Sequence, residues 1–174
     1  MNASEKEKIV LEHQAAKLFM RWYESITGRE IRHIWHNQPQ KPDVSCYLDG
    51  QRLDMEIAHL YGSEPDAMRI LKRELSAKTK AELKKQAGLT NTDERLMEAL
   101  HRILVNKSKK SYHSERVWLV IRNANACWDR QRIEALKSRI RVPANHPFEQ
   151  IWIVCDMKGE TGIVRLYPSR EPQH

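Results

Sequence analysis

The chain has 174 residues, of which 40% are hydrophobic and 30% are charged, and this balance supports a folded core and excludes a disordered chain. Its 30 lysines and arginines against 23 acidic residues give a formal net charge of +7, which favours a polyanionic partner such as nucleic acid. The sequence contains no apolar run near the roughly 18 residues of a membrane span and no signal-peptide core. We therefore expect no membrane contact. The three cysteines are far apart in the sequence, so we also expect no disulfide partner and a cytoplasmic protein.

The first part of the chain predicts a helix followed by strands. Ser4 and Gly28 are typical first and last signals of a helix. The dipeptide Asp49-Gly50 is typical of a two-residue hairpin turn whose twist matches its strands. The predicted elements are a helix over residues 4–27, a strand over 30–35, and hairpin strands over 43–48 and 51–60.

The second part of the chain mixes helices with strands. Asn91 and Glu94 have the spacing of a capping box, and Val117–Ile121 is apolar throughout, as in a buried central strand. The predicted elements are a basic helix over 64–86, a helix from about 91, a basic loop over 106–115, a strand over 117–121, a helix over 126–139, and strands over 148–155 and 162–167. The order α-β-β-β-α-α-β-α-β-β predicts a three-layer α/β sandwich in which helices flank a central mixed sheet. We expect one domain over residues 1–174, with its core over 4–123 and a C-terminal helix and hairpin over 124–168.

The register of the hairpin can be counted outward from its turn. Ser45 then lies opposite Asp54, and Asp43 lies opposite Glu56. One face is apolar and predicts core: Val44, Cys46, Leu48, Leu53, Met55 and Ile57. The other face brings three carboxylates together, which is unfavourable unless a cation neutralises them, and Mg²⁺ prefers such oxygen ligands. The alternative is a solvated polar face, on which the carboxylates repel each other only mildly.

Glu12 interrupts the apolar face of the first predicted helix. On a helical wheel it falls between Phe19 and Tyr23. A carboxylate in that position is either partly buried and directed into a site, or lies where the helix has already left the core. The position alone leaves both interpretations open.

These residues resemble the PD-(D/E)XK nuclease superfamily, whose core has the order αβββαβ. Pro42-Asp43 occupies the place of the PD motif, and residues 53–58 occupy the place of the (D/E)-x-K strand. The resemblance covers about residues 4–123 and implies a restriction-endonuclease-like fold. It also implies that Asp43, Glu56 and Glu12 bind Mg²⁺ or Mn²⁺, with Asp54 as an auxiliary ligand, in a metal-dependent nuclease that hydrolyses phosphodiester bonds in DNA or RNA.

The lysine of the motif is absent, because position 58 is alanine when Glu56 is taken as the second acid. If Asp54 is the second acid, Glu56 itself takes the third position. Some members of the superfamily supply the lysine from the next helix, where Lys72 and Lys78 are available. A solvated basic face is the alternative interpretation of those two lysines.

Basic side chains in two segments are candidates for contact with the phosphate backbone: Lys72, Lys78, Lys107, Lys109 and Lys110. The sequence contains no P-loop, no G-x-G-x-x-G and no G-x-S-x-G, so nucleotide binding and serine hydrolysis have no support. The missing lysine also allows a second hypothesis, that the domain is catalytically degenerate and binds nucleic acid or protein. A third hypothesis is a basic α/β protein with no nucleic-acid role.

Overall fold

The computed structural model describes residues 3–37, 42–71, 75–87 and 91–169. Helices and strands are mixed along these residues. The elements are α1 (Ala3–Thr27), β1 (Ile31–His36), β2 (Val44–Leu48), β3 (Gln51–Leu60), α2 (Glu64–Leu71), α3 (Ala77–Ala87), α4 (Thr92–Ser108), β4 (Val117–Asn123), α5 (Arg130–Leu136) with a 3-10 turn (Lys137–Arg139), β5 (Gln150–Val154) and β6 (Ile163–Tyr167).

The six strands form one mixed sheet in the order β1-β2-β3-β4-β5-β6. The β3–β4 and β4–β5 pairs are parallel, and the other pairs are antiparallel. The prediction of an α/β fold with a mixed sheet is therefore confirmed. The hairpin register is confirmed as well, since Ser45 pairs with Asp54. Asp49 and Gly50 have φ angles of 50° and 79°, as a type I′ turn requires.

Helix α1 packs on one face of the sheet through an aromatic cluster. The ring centres of Phe19 and Trp152 are 5.6 Å apart, and those of Tyr23 and Trp118 are 5.2 Å apart. Phe19 and Tyr23 are four residues apart, so they project from one side of the helix onto β4 and β5. The apolar face of the hairpin joins the same core, as predicted: Val44, Cys46, Leu48, Leu53, Met55 and Ile57.

Helices α4 and α5 cover the opposite face of the sheet. Their buried side chains pack with alternate residues of the central strands: Ala58, Leu60, Leu96, Leu100, Leu104, Leu119, Ile121, Ile133, Leu136, Ile151 and Ile153. Every residue of β4 is buried, which explains why Val117–Ile121 is apolar without alternation. The sheet thus lies between helices, in three layers.

The basic segment over residues 64–86 is two helices, so the prediction of one continuous helix is wrong. Thr79 donates its backbone N–H to Ser76 Oγ at 3.2 Å, which makes Ser76 the N-cap of α3. The element order therefore has one more helix between β3 and β4 than predicted. Apolar side chains on both sides of the break pack together: Ala67, Leu75 and Leu83.

Strand β1 contains a bulge. Arg32 pairs with Tyr47, but Trp35 pairs with Ser45, so β1 has one residue more than β2 between these pairs. His33 lies inside the bulge with a φ of 64°, in the left-handed region that residues with a Cβ seldom adopt. An inserted residue of this kind reverses the faces of the strand beyond it.

The bulge decides the direction of the two aromatic side chains that follow it. In a regular register Trp35 would lie opposite Val44, on the core face. Instead Trp35 shares the outer face with Tyr47, and His36 lies opposite Val44 on the face covered by α1. The single extra residue thus moves a tryptophan out of the core and brings a histidine to α1.

The described residues include no helix that is long and apolar enough to cross a membrane. The three cysteines are free thiols, of which Cys46 and Cys155 are buried and Cys127 is exposed.

We expect Phe19→Ala to lower the free energy of unfolding by about 3–5 kcal/mol, because the substitution removes a fully buried ring from the α1 core. Urea unfolding followed by circular dichroism measures the change. Val10→Ala is the control, since Val10 lies on the same helix and is 54% exposed, and we expect it to change stability by less than about 0.5 kcal/mol. Equal losses for the two variants would contradict this packing of α1.

Candidate functional site

Strand β3 is longer than its neighbour β2, and this leaves a free edge. The β2 pairing ends with Val44 opposite Met55, whereas β4 accompanies β3 as far as Leu60. Asp43 lies where the pairing ends, and its Oδ2 accepts a hydrogen bond from the backbone N–H of Ile57 at 2.9 Å. The side chain thereby satisfies an edge amide and is held in place, with Asp43 only 2% exposed.

Glu56 is fully buried beside this edge and is surrounded by donors. Its Oε2 accepts hydrogen bonds from Tyr112 Oη at 2.8 Å and from Lys107 Nζ at 3.3 Å. Lys110 Nζ lies 3.9 Å from the same oxygen. A buried carboxylate is costly unless it is paired in this way, so these contacts offset the cost of burying Glu56.

Tyr112 reports on the electrostatics of the site. Burial raises the pKa of its phenol, and the negative charge of Glu56, together with that of Asp43, raises the pKa further. The phenol therefore stays protonated at neutral pH and acts as a donor to Glu56. Asp43 and Glu56 thus both act on this one phenol, while the β2–β3 pairing itself ends at Val44 and Met55, one position short of the predicted pair.

Asp54 belongs to a separate hydrogen-bond network on the same face. Ser45 Oγ donates to its Oδ1 at 2.5 Å, and Arg52 Nε donates to the same oxygen at 3.0 Å. Ser114 Oγ donates to its Oδ2 at 2.5 Å. Both carboxylate oxygens are therefore engaged, and Asp54 fastens the hairpin to the segment before β4.

Glu12 is buried, but its partners differ from those of Glu56. Its Oε2 lies 2.7 Å from His36 Nε2, and its Oε1 lies 3.7 Å from Lys8 Nζ. Glu12 projects from α1 on one face of the sheet, whereas the donors to Glu56 come from α4 and the segment after it. The structure therefore places Glu12 on the α1 side of the free edge.

A cavity of about 280 Å³ lies beside the free edge and connects these two sides. Lys8 and Glu12 line it from α1, and Lys107 lines it from α4. Ile57 and His59 of β3 lie between them. The cavity thus has a carboxylate on one wall and, on the other wall, the ammonium group that contacts Glu56.

His59 adds a neutral base to the cavity. Its Nε2 is shielded from solvent and has no hydrogen-bond partner among the described residues, and its ring stacks on Tyr61 at 6.1 Å. Burial, with a smaller contribution from the charge of Arg122, lowers the pKa of His59 to about 3. The imidazole is therefore uncharged at physiological pH.

The predicted lysines lie in different places. Lys72 lies outside the described residues, while Lys78 and Lys109 are exposed. Residues 106–108 belong to the last turn of α4 instead of the predicted loop. Lys107, at the end of α4, and Lys110, just after it, both reach Glu56.

Sequence reasoning missed two polar partners of the candidate acids, Tyr112 and His36. Tyr112 follows the basic segment without any motif of its own, and the direction of His36 depends on the bulge in β1. A polar residue at either position gave no signal, because its partner is distant in sequence.

Asp43 and Glu56 supply two oxygen ligands of the hard type that Mg²⁺ and Mn²⁺ bind. Mg²⁺ commonly uses one or two protein carboxylates and completes its shell with water and phosphate oxygens. Within the part of the chain that the structure describes, no group of three or more His, Cys, Asp or Glu side chains is arranged to hold a metal ion.

Comparison with known proteins adds no relative: no family model, no curated protein and no solved structure matches this chain. The resemblance to the PD-(D/E)XK superfamily therefore stays a prediction. The functional argument depends on the geometry of the site.

We expect Tyr112→Phe to lower the free energy of unfolding by about 1.5–3 kcal/mol, because buried Glu56 loses a hydrogen bond to its charged form. The same substitution in a Glu56→Gln background should cost less, and the difference is the coupling energy of the pair. Urea unfolding of the parent, the two single variants and the double variant measures this coupling energy. Tyr167→Phe on β6, where the tyrosine is 37% exposed, is the control and should be nearly neutral. Additive effects of the two substitutions would contradict the contact.

We expect stability to fall as the pH is lowered from about 6.5 towards 3, in part because of His59. The unfolded chain binds a proton at this histidine below pH 6.5, whereas the folded chain binds it only below about 3. Acid therefore favours unfolding, by up to about 1.4 kcal/mol per pH unit within that window. Urea unfolding near pH 7 and near pH 5 should show a smaller pH effect for His59→Gln than for the parent. Parallel behaviour of both proteins would contradict a buried neutral histidine.

Proposed function

We propose that this chain is a nuclease-like domain that binds a divalent cation and hydrolyses phosphodiester bonds in nucleic acid. One observation supports the proposal above all: the buried carboxylates of Asp43 and Glu56 both act on the phenol of Tyr112, and the ammonium group of Lys107 contacts Glu56. A buried acidic pair beside a lysine is the set of groups that metal-assisted phosphoryl chemistry uses.

The arrangement of elements agrees with the proposed restriction-endonuclease-like core. A helix and three antiparallel strands come first, and β4 returns parallel to β3 after the helical segment. Asp43 stands before β2 and Glu56 inside β3, which are the places that the PD and (D/E)-x-K motifs would occupy. The fold assignment is part of the proposal.

Asp43 and Glu56 are the residues that would hold Mg²⁺ or Mn²⁺. When bound, the cation would polarise the phosphate and lower the pKa of a bound water. The backbone N–H of Ile57 fixes Asp43, and the hydroxyl of Tyr112 fixes Glu56, so both carboxylates are oriented before any ligand arrives. Such orientation reduces the cost of assembling the site.

Lys107 takes the role that Ala58 cannot fill. Its Nζ lies 3.3 Å from Glu56 Oε2, and its side chain is 18% exposed at the wall of the cavity. A lysine in this position is placed to contact a phosphate oxygen as a point charge. The exposed Lys78, Lys109 and Lys110 would hold the phosphate backbone without reading sequence.

Glu12 and Asp54 have supporting roles in this proposal. Glu12 lines the cavity with its Oε2 against His36 and would orient a water there. Asp54 has three side-chain donors and would act through the rigidity of the hairpin.

A second candidate function is a catalytically inactive module that binds nucleic acid on the same fold. The observation in its favour is that the ammonium groups of Lys107 and Lys110 already balance the charge of Glu56 without a metal ion, and Tyr112 donates a hydrogen bond to it. In this case the acidic pair is a structural device, and the basic surface alone binds the polyanion.

A double variant, Asp43→Asn with Glu56→Gln, distinguishes the two functions. If the pair holds a cation, Mn²⁺ should raise the melting temperature of the parent, because binding stabilises the folded state. The double variant should lose this shift, with at least about tenfold weaker Mn²⁺ affinity, and should lose cleavage of labelled DNA or RNA. Thermal scans with and without Mn²⁺, and gel assays of cleavage, provide the measurements.

Glu134→Gln is the matched control for this experiment, because Glu134 is an exposed carboxylate on α5 that pairs only with Arg130 among the described residues. It should behave as the parent in both assays. Equal Mn²⁺ shifts in the parent and the double variant, with no cleavage by either, would contradict the nuclease and favour the inactive module.

A further inference from the structure

An aromatic surface lies on the outer face of the first three strands, and we call His33, Trp35, Tyr47 and Arg52 the aromatic platform. The ring centres of Trp35 and Tyr47 are 5.4 Å apart, and those of His33 and Tyr47 are 6.3 Å apart. The guanidinium carbon of Arg52 lies 5.6 Å from the centre of the Trp35 ring. These side chains come from three adjacent strands and form one continuous surface.

The platform is accessible to a ligand. Tyr47 is 39% exposed, and the side chain of Arg52 is 58% exposed. The core beneath α4 and α5 contains side chains of β3 to β6 but none of β1 or β2. The ring of Tyr47 is therefore exposed and that of Trp35 is half-buried, although burial in the core is usually favoured for large aromatic rings.

The bulge in β1 is what adds Trp35 to the platform. Without the extra residue the ring would lie on the core face, opposite Val44. The bulge places His33 at a φ of 64°, a conformation that costs energy in a residue with a side chain. Bulges often redirect a side chain next to a functional site, and here the bulge turns the half-buried ring of Trp35 to the outer face.

Charge and ring chemistry favour nucleic acid as the ligand. Arg52 lies over the Trp35 ring, Arg32 is paired opposite Tyr47 in the sheet and forms an ion pair with Glu24, and the chain has a formal net charge of +7. Nucleobases stack on aromatic rings and on guanidinium planes, and the phosphates of the same strand are attracted by the arginines. A base within a duplex has no free face for such stacking, so the strand must be unpaired.

We propose that the aromatic platform binds an unpaired base of single-stranded nucleic acid and directs the strand along the hairpin towards Asp43 and Glu56. Tyr47 and Ser45 are alternate residues of β2 on its outer face, and Asp43 comes directly before this strand, at the next alternate position. Four residues of a strand span about 13 Å, so the platform and the carboxylates lie within reach of one short oligonucleotide. This inference rests on the proposed function, because it names the form of nucleic acid that reaches the site.

Fluorescence anisotropy with a labelled oligothymidylate of about 12 nucleotides tests the platform, with chelator present so that no cleavage occurs. Tyr47→Ala should weaken binding by about 5-fold to 100-fold, because one stacked base is lost. Tyr47→Phe and Trp35→Phe keep a ring and should retain most of the affinity. The slope of affinity against salt should be the same for Tyr47→Ala and the parent, because no phosphate contact is removed.

Tyr167→Ala is the matched control, because Tyr167 lies on β6 of the same sheet and is 37% exposed. It should bind as the parent does, and a duplex of the same length should bind more weakly and should not respond to Tyr47→Ala. Parent-like affinity of Tyr47→Ala, or equal loss in Tyr167→Ala, would overturn the platform. Duplex binding that is equally sensitive to Tyr47→Ala would overturn the single-strand assignment.

Cleavage of the same oligothymidylate by the parent and by Tyr47→Ala, with Mn²⁺ in place of the chelator, separates this inference from the proposed function. If stacking is present and no cation-dependent cleavage occurs, the nuclease proposal fails and the platform stands. If single strands are cleaved and Tyr47→Ala changes neither binding nor cleavage, the platform fails and the nuclease stands.

Discussion

The unequal neighbours of β3 are the constraint on which the site depends. β4 pairs with this strand as far as Leu60, but β2 pairs with it only to Met55. The part beyond has backbone amides that need partners, and Asp43 supplies one by accepting from Ile57. The same gap leaves room for the cavity between α1 and α4. A cavity beside the central strand of a three-layer fold thus follows from the different lengths of the two strands that pair with it.

A one-residue change of register in β1 decides which side chains face the site and which face the outer surface. The bulge in β1 reverses the faces of the residues after it, because side chains alternate along a strand. It directs Trp35 to the outer surface and His36 to Glu12 on α1. The aromatic platform and the partner of Glu12 therefore have one structural origin, the extra residue beside His33.

The charge of the acidic pair is balanced in a way that is compatible with either function. Glu56 is fully buried, and it is tolerated because Lys107 and Tyr112 donate to it. An inactive module needs no more than this. A nuclease would use the same lysine, supplied by the end of α4 where the strand itself has Ala58. The chemistry of the site thus depends on whether a metal ion binds to the carboxylates. Without a metal ion, the charge of Glu56 is already balanced by its lysine partner.

The sequence by itself determined the features that depend on near neighbours. The Asp49-Gly50 turn and the period-two pattern determined the hairpin register, and the same local logic predicted the cap at Asn91. Ser76 is a residue type that commonly begins a helix, and it marks the break before α3. The many basic residues on both sides of it favoured one continuous helix instead. Only the tertiary structure decided which side chains meet Glu56, because its donors Lys107 and Tyr112 lie 51 and 56 residues further along the chain. Such contacts follow from how α4 crosses the sheet, and a bulge likewise has no residue pattern of its own, since both depend on packing between segments that are far apart in the chain.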